Sequence, residues 1–146
     1  MRKKILLGLL AIFLLMQAFQ TERITAAAVP AKDFISLRQP PQNIEKLLRA
    51  ACYDCHSTET VWPWYSYVNP IGWQIGGHVR NGRKKLNFST WADYDEKKKD
   101  HKLEECVEEV AESKMPLKSY TYGHSEAKLS ATDRKALADW FAAQRQ

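Results

Sequence analysis

Apolar residues recur along this chain in five separate groups, and four of them carry helical spacing. The first group, Ile5 to Met16 with Ala18 and Phe19 beyond it, is almost unbroken and has no polar face. Ile44, Leu47, Leu48 and Ala51 fall at i, i+3, i+4 and i+7, which predicts one buried face of a helix. Asn69 followed by Pro70 predicts a helix start, and Ile71, Ile75, His78 and Val79 then share a face that Gly72, Gly76 and Gly77 make thin, so that a broad group can lie close. Leu103, Cys106, Val107 and Val110 repeat the same spacing. Pro116 pushes Met115 out of helical conformation, so this third helix must stop before it. Ser130 with Asp133 three positions on resembles a capping box, opening a last helix faced by Leu137, Trp140 and Phe141. Between these elements the pattern predicts a polar linker from Ala31 to Pro41, a charged connection from Trp91 to Asp100 and a tyrosine-rich loop from Ser119 to Lys128. The fold class expected is all-α.

Composition sets the scale. With 146 residues, 45% hydrophobic and 27% charged, the chain holds one ordinary domain and a short leader. Of the net charge of +5, Arg2, Lys3, Lys4 and Arg23 against Glu22 account for +3, leaving +2 for residues 29–146. So nearly neutral a domain gives no case for nucleic acid as a partner.

The basic residues ahead of the first apolar run give it the order of an export signal. Residues 1–28 are expected to be a signal peptide or an N-terminal membrane anchor, 29–41 a linker and 42–146 the functional domain. Ala26 and Ala28 offer a small-x-small cleavage site, but a long stretch including Glu22 and Arg23 separates them from Met16, which tilts the reading towards an uncleaved anchor. Ile5 to Phe19 would span only about 22 Å as a helix against a hydrocarbon core of ~30 Å. No cysteine near the end of the run suggests lipidation. In either case the positive end stays in the cytoplasm and the domain faces the periplasm, possession of a membrane contact depending on whether the leader is kept.

The chemistry concentrates in Cys52-Tyr53-Asp54-Cys55-His56. Two thiols three apart, with an imidazole directly after the second, are what covalent attachment of a haem c requires: each thiol adds to a vinyl group, and the imidazole reaches the iron. A closed zinc site wants four ligands, and no second Cys-x-x-Cys or His-x-x-x-His pair occurs. A thioredoxin-like motif belongs beside a βαβ pattern, which is absent here. A plain structural disulfide is the remaining competitor. Cys106, on a buried stripe, reads as a small apolar core residue.

A second axial ligand is expected from Met115, the only methionine outside the leader, because a soft sulfur opposite His56 favours reduced iron. His78 is its rival, and an open sixth position is the third option. The ring nitrogen of His56 that does not meet iron needs a backbone carbonyl, expected near Trp62, while Trp62, Trp64 and Tyr65 would shield a porphyrin from water. Arg80, Arg83, Lys84 and Lys85 read as a solvated face or as contacts for propionates or an acidic redox partner. Tyr120, Tyr122 and His124 read as haem-edge contacts or surface packing. No acid, base and nucleophile constellation stands out, so no enzyme activity is expected.

A helix running into the haem motif resembles a class I cytochrome c. That resemblance supports Met115, since those proteins often carry a Met-Pro pair at this distance, although the Gly-Pro-x-Leu loop they place after the histidine is here Thr60-Val61-Trp62-Pro63-Trp64-Tyr65-Ser66-Tyr67. Cys52 to His56, Trp62-Pro63-Trp64-Tyr65, Gly77-His78-Val79, Leu86-Asn87-Phe88-Ser89, Met115 to Tyr120 and Glu126 to Ser130 together resemble the small exported haem-binding domain family of bacteria, over roughly Asp33 to Ala142. Ser125 stands where that family would have Pro. The resemblance implies a cytochrome c-like helical domain around one covalent haem held by Cys52, Cys55 and His56. The function expected is a periplasmic single-electron carrier with an unspecified redox partner, the alternative being a haem sensor or peroxidase-like enzyme with an open or displaceable sixth position.

Overall fold

The structure, a computed structural model, describes residues 1–145 and contains no strand among them. Its helices are α1 (Arg2–Met16), α2 (Phe34–Arg38), α3 (Gln42–Leu48), α4 (Asp54–His56), α5 (Ile71–Lys85), α6 (Glu96–Ala111), α7 (Lys118–Thr121) and α8 (Ala131–Ala143). A π turn over Arg49–Tyr53 joins α3 to α4, and 3-10 turns cover Trp64–Tyr67, Phe88–Asp93 and Ser125–Ala127.

Four helices follow the predicted periodicities. Ile44 and Leu48 of α3, Leu103 and Val110 of α6, and Leu137 and Phe141 of α8 are buried in one core. Helix α8 packs along α6 and also touches α3, so the last helix closes over the first helix of the domain. The Ser130 side chain accepts from the Asp133 amide and the Asp133 carboxylate accepts from the Ser130 amide, completing the capping box.

Two stretches without periodicity also build this core. The expected linker contains α2, capped by the buried Asp33 carboxylate, which accepts the Ser36 amide at 3.1 Å. Phe34 in α2 is fully buried, with its ring 4.9 Å from that of Phe88, 4.7 Å from Trp91 and 5.6 Å from Trp140. The expected connection from Trp91 to Asp100 begins with a buried indole. It is already helical from Glu96, because the Asp95 side chain accepts the Lys98 amide and starts α6 early.

Helix α1 is exposed through Leu15, and among the described residues no helix is long and apolar enough to cross a membrane. The chain after it lies along α5 and the loop before α5. Asn69 does not cap α5 with its side chain: its amide nitrogen donates to the Met16 and Phe19 carbonyls at 2.9 and 3.0 Å, and Pro70 takes the cap position. Gln17 pairs with the Asn69 backbone in both directions, at 3.1 and 3.0 Å. Ala26 donates its amide to the Thr58 carbonyl and accepts the Thr58 hydroxyl, at 2.8 and 2.9 Å.

Candidate haem-binding site

The motif Cys52 to His56 sits where the chain leaves the core, and its two inner residues tie it down on both sides. Tyr53 is buried and donates its hydroxyl to Asp33 Oδ1 at 3.0 Å while accepting the Ile35 amide at 3.2 Å, so the start of the motif is fixed to α2. Asp54 faces the other way. One carboxylate oxygen accepts the Val61 amide at 2.9 Å and the other accepts the Tyr120 hydroxyl at 2.7 Å, joining the motif to the loop before α5 and to the segment after Met115.

Beyond Asp54 opens a cavity of about 320 Å³ whose wall includes Cys55, His56, Trp62, Tyr65, Met115, Pro116 and Leu117. That is at the small end of the roughly 300–1,000 Å³ usual for small-molecule sites. Helix α5 supplies one side of it with Ile71, Gln74, Ile75, His78, Val79, Asn81, Gly82 and Lys85, a stripe at helical spacing. The predicted α5 face is therefore the cavity face. Its glycines serve other purposes than the one expected: Gly72 admits the Ser66 carbonyl and the Asn69 side chain, Gly76 makes room for the chain after α1, since a Cβ there would come within 2.9 Å of the Thr21 side chain, and Gly77 faces open space. The glycine that matters to the motif is Gly82, where a Cβ would lie 2.6 Å from the Cys55 carbonyl oxygen. Only a residue without a side chain lets α5 approach the motif this closely.

The His56 ring is held by one of its two nitrogens. Its Nδ1 lies 3.1 Å from the Leu86 carbonyl at the end of α5, so Nδ1–H donates there and Nε2 keeps its lone pair. The expected acceptor near Trp62 is thus replaced by Leu86, because α5 returns the chain to the motif more closely than the intervening loop does. Burial holds the imidazole below its ordinary pKa, against the Leu86 and Gly82 carbonyls and with Lys85 assisting, so the neutral ligand form is favoured.

The two motif thiols are placed differently. Cys55 is on the cavity wall, and burial, with Asp54 nearby, raises its pKa to about 11. Cys52 lies off that wall against the core, close enough to Cys106 for their charges to couple, and burial raises it to about 12. All three cysteines are free thiols.

Met115 reaches the cavity from the segment after α6. Its amide donates to the Glu109 carbonyl at 2.9 Å, and its carbonyl accepts Arg134 Nη1 at 2.8 Å, the same nitrogen that bonds the Val110 carbonyl at 2.8 Å. An arginine of α8 thereby fixes the Met115 backbone to the end of α6. His78 and His124 line the same cavity; His124 stacks on Tyr120 at 4.1 Å between centroids.

Of the expected shield, Trp62 and Tyr65 line the cavity while Trp64 is exposed on the outer surface. The Trp62 indole N–H is buried without an acceptor among the described residues, a donor on the cavity wall suited to an acidic group of a ligand. Lys85 is the one member of the basic run on the wall. Arg83 turns away and bonds the Ser57 and Ile24 carbonyls and the Thr60 hydroxyl at 2.6, 2.9 and 2.8 Å. An imidazole with a fixed tautomer, a thioether, a thiol and a largely apolar wall with a few donors form a set that fits a haem.

Asp54, Gly82, Leu86 and Arg134 are the working residues that sequence reasoning missed. Asp54 occupies a variable position of the motif, and Leu86 acts through its backbone. Only the departure of Gly82 from helix propensity offered a signal.

No curated protein and no solved structure matches this chain. A family model described as a haem-binding domain matches residues 11–143, nearly the whole chain. With the histidine, thioether and thiol of its cavity, the chain belongs to the haem-binding domain family.

Proposed function

We propose that this protein is a c-type haem protein of the periplasm that carries single electrons, with one haem joined through Cys52 and Cys55, His56 as proximal ligand and Met115 as the second axial ligand. The observation that carries the proposal is the convergence of His56, its Nδ1 held by Leu86, and Met115 on one cavity wall with Cys55. A bound haem supplies an iron able to exchange one electron; the protein's part is to hold and shield it. Leu86 fixes the His56 tautomer. Arg134 and the Tyr120–Asp54 hydrogen bond hold the segment that carries Met115. Trp62, Ile75, Val79 and Leu117 exclude water, and a drier site with a sulfur ligand raises the potential. Lys85 and the Trp62 N–H stand ready for the propionates.

The reading with an exchangeable sixth position rests on His78 and His124, which line the same cavity. Oxidised and dithionite-reduced spectra of the full chain, made in cells able to attach haem and compared with Met115→Ala, separate the two. The carrier reading expects low-spin haem that stays with the denatured chain, and a far-red methionine-to-ferric band that disappears in the variant. An unchanged variant spectrum would remove Met115 from the iron and move the sensor or enzyme reading to the front.

A further inference from the structure

Residues 17–28 do not line the cavity, yet the domain is built to receive them. Asn69 is fully buried, and its side-chain amide has the Met16 and Phe19 carbonyls as its acceptors. The Arg23 guanidinium bonds the Ser66 carbonyl and lies 4.2 Å over the Tyr67 ring. Gly76 of α5 leaves the space in which the Thr21 side chain lies, and Arg23 lies beside Gly72, where a Cβ would come within 3.3 Å of its guanidinium. Cutting the chain after Ala28 would strip partners from a buried amide and expose a glycine-lined groove, both costly in a mature domain. The family match begins at residue 11, inside α1 and well before Ala26 and Ala28.

Where this segment leaves α1, the domain presents aromatic side chains outward. Trp73 donates its indole N–H to the Phe19 carbonyl at 2.5 Å, and Gln20 reaches the Tyr67 carbonyl at 3.4 Å, so Trp73 and Tyr67 flank the end of α1. Trp64 belongs to the same 3-10 turn as Tyr67 and is 78% exposed; Phe19 is 69% exposed. Helix α1 is apolar on every side, with Arg2, Lys3 and Lys4 at its far end. A protein groove would cover one face of such a helix, whereas lipid surrounds it. Trp and Tyr beside its exit are the residue types that settle at the lipid–water boundary.

We infer that residues 1–28 stay on the mature protein and that α1, Phe19, Trp64, Tyr67 and Trp73 form one lipid-seated surface. The domain itself supplies the interfacial aromatics that a helix of 15 residues lacks. The loop that carries Trp64 and Tyr67 and the start of α5 are thereby held beside the membrane.

The first test is the intact mass of the full chain recovered from membranes of haem-competent cells. The mass of all residues plus one haem is expected, and a chain beginning at Val29 would overturn retention. A full-length chain without haem would leave this inference standing and defeat the haem reading instead. The second test reconstitutes Trp64→Cys and Lys135→Cys separately into phosphatidylethanolamine–phosphatidylglycerol vesicles and measures labelling by a membrane-impermeant maleimide. Labelling at position 64 is expected to be several-fold slower than at position 135, which lies on the exposed side of α8. Equal rates, in samples whose haem spectra match the parent, would overturn the lipid-seated surface.

Discussion

The molecule has a closed side and an open side, divided by the five residues of the haem motif. On the closed side, Phe34, Phe88 and Phe141 stack and Trp91 meets Phe34 edge-on within one aromatic core, each ring at most 1% exposed. On the open side, α5, the Trp62 loop and the Met115 segment surround a cavity, held mostly by single hydrogen bonds to backbone atoms. Tyr53 belongs to the first side and His56 to the second, three residues on. Stability is thus concentrated in one half and ligand chemistry in the other, and mutations in the two halves should be separable.

The hardest test of that separation is Phe34→Ala. A fully buried phenyl is removed from the centre of the core, and the expected loss is about 3–5 kcal/mol, read from the denaturant midpoint. The spectrum of the fraction that remains folded should match the parent, because the rings packed on Phe34, those of Phe88, Trp91, Trp140 and Phe141, lie off the cavity wall; a changed axial ligand would show that the halves are coupled through the edge contact of Phe88 with His56. Next comes Gly82→Ala. Helix propensity alone favours this change by roughly 0.5–1 kcal/mol. The Cβ, however, would lie 2.6 Å from the Cys55 carbonyl, backbone that cannot swing away. We expect a net loss of about 1–3 kcal/mol and a disturbed His56 ligand field. Gly77→Ala, with nothing within 4 Å, should show the uncomplicated gain.

The same division governs what was legible in the sequence. Helices α3, α5, α6 and α8 were readable because each buries a face, and a buried face leaves a period of 3.6 residues. The Cys52 to His56 stretch and Met115 stood out because the proposed haem chemistry calls for particular side chains, and the structure brings Cys55, His56 and Met115 to one cavity. Helix α2 and the Phe88–Asp93 turn were missed, since a single aromatic inserted from a short turn has no period, although both are central to the core. On the open side the parts that went unseen act through backbone or its absence. The Leu86 carbonyl holds His56 and the missing Cβ of Gly82 admits α5, and neither is encoded by a side chain. The docking of residues 17–28 against the domain went unread because the hydrogen bonds of Gln17 and Ala26 are to chain 32 or more positions away.

Tyr120→Phe probes the open side alone. It removes the donor to Asp54 at 2.7 Å and leaves the ring stacked on His124. The expected cost is about 1–2 kcal/mol. The more informative effect is on the Met115 segment, which loses its tie to the motif. Imidazole should displace the sixth ligand at several-fold lower concentration than in the parent, with the core unaffected by near-ultraviolet circular dichroism. Unchanged displacement would assign the holding of Met115 to Arg134 alone.

The smallest effect expected is a pH dependence from the closed side. Cys106 packs against the core, and burial raises its pKa above the ordinary 9.0, with Cys52, Glu105 and Glu109 adding and Lys102 opposing. A thiol whose folded pKa lies above its unfolded one binds its proton more tightly in the folded state. It therefore contributes stability that is complete below about pH 9 and declines as the pH rises beyond it. With Cys52 and Cys55 joined to haem as proposed, Cys106 is the one thiol left to titrate. The denaturant midpoint of the haem-loaded chain should fall between pH 9 and 10 by more than that of Cys106→Ala, which keeps every other titrating group. Iodoacetamide at pH 8 should leave Cys106 unmodified until the chain unfolds, since a protonated thiol packed against the core is a poor nucleophile. Rapid native alkylation would mean that the helix α6 stripe opens readily, and the closed side would then be less closed than its packing implies.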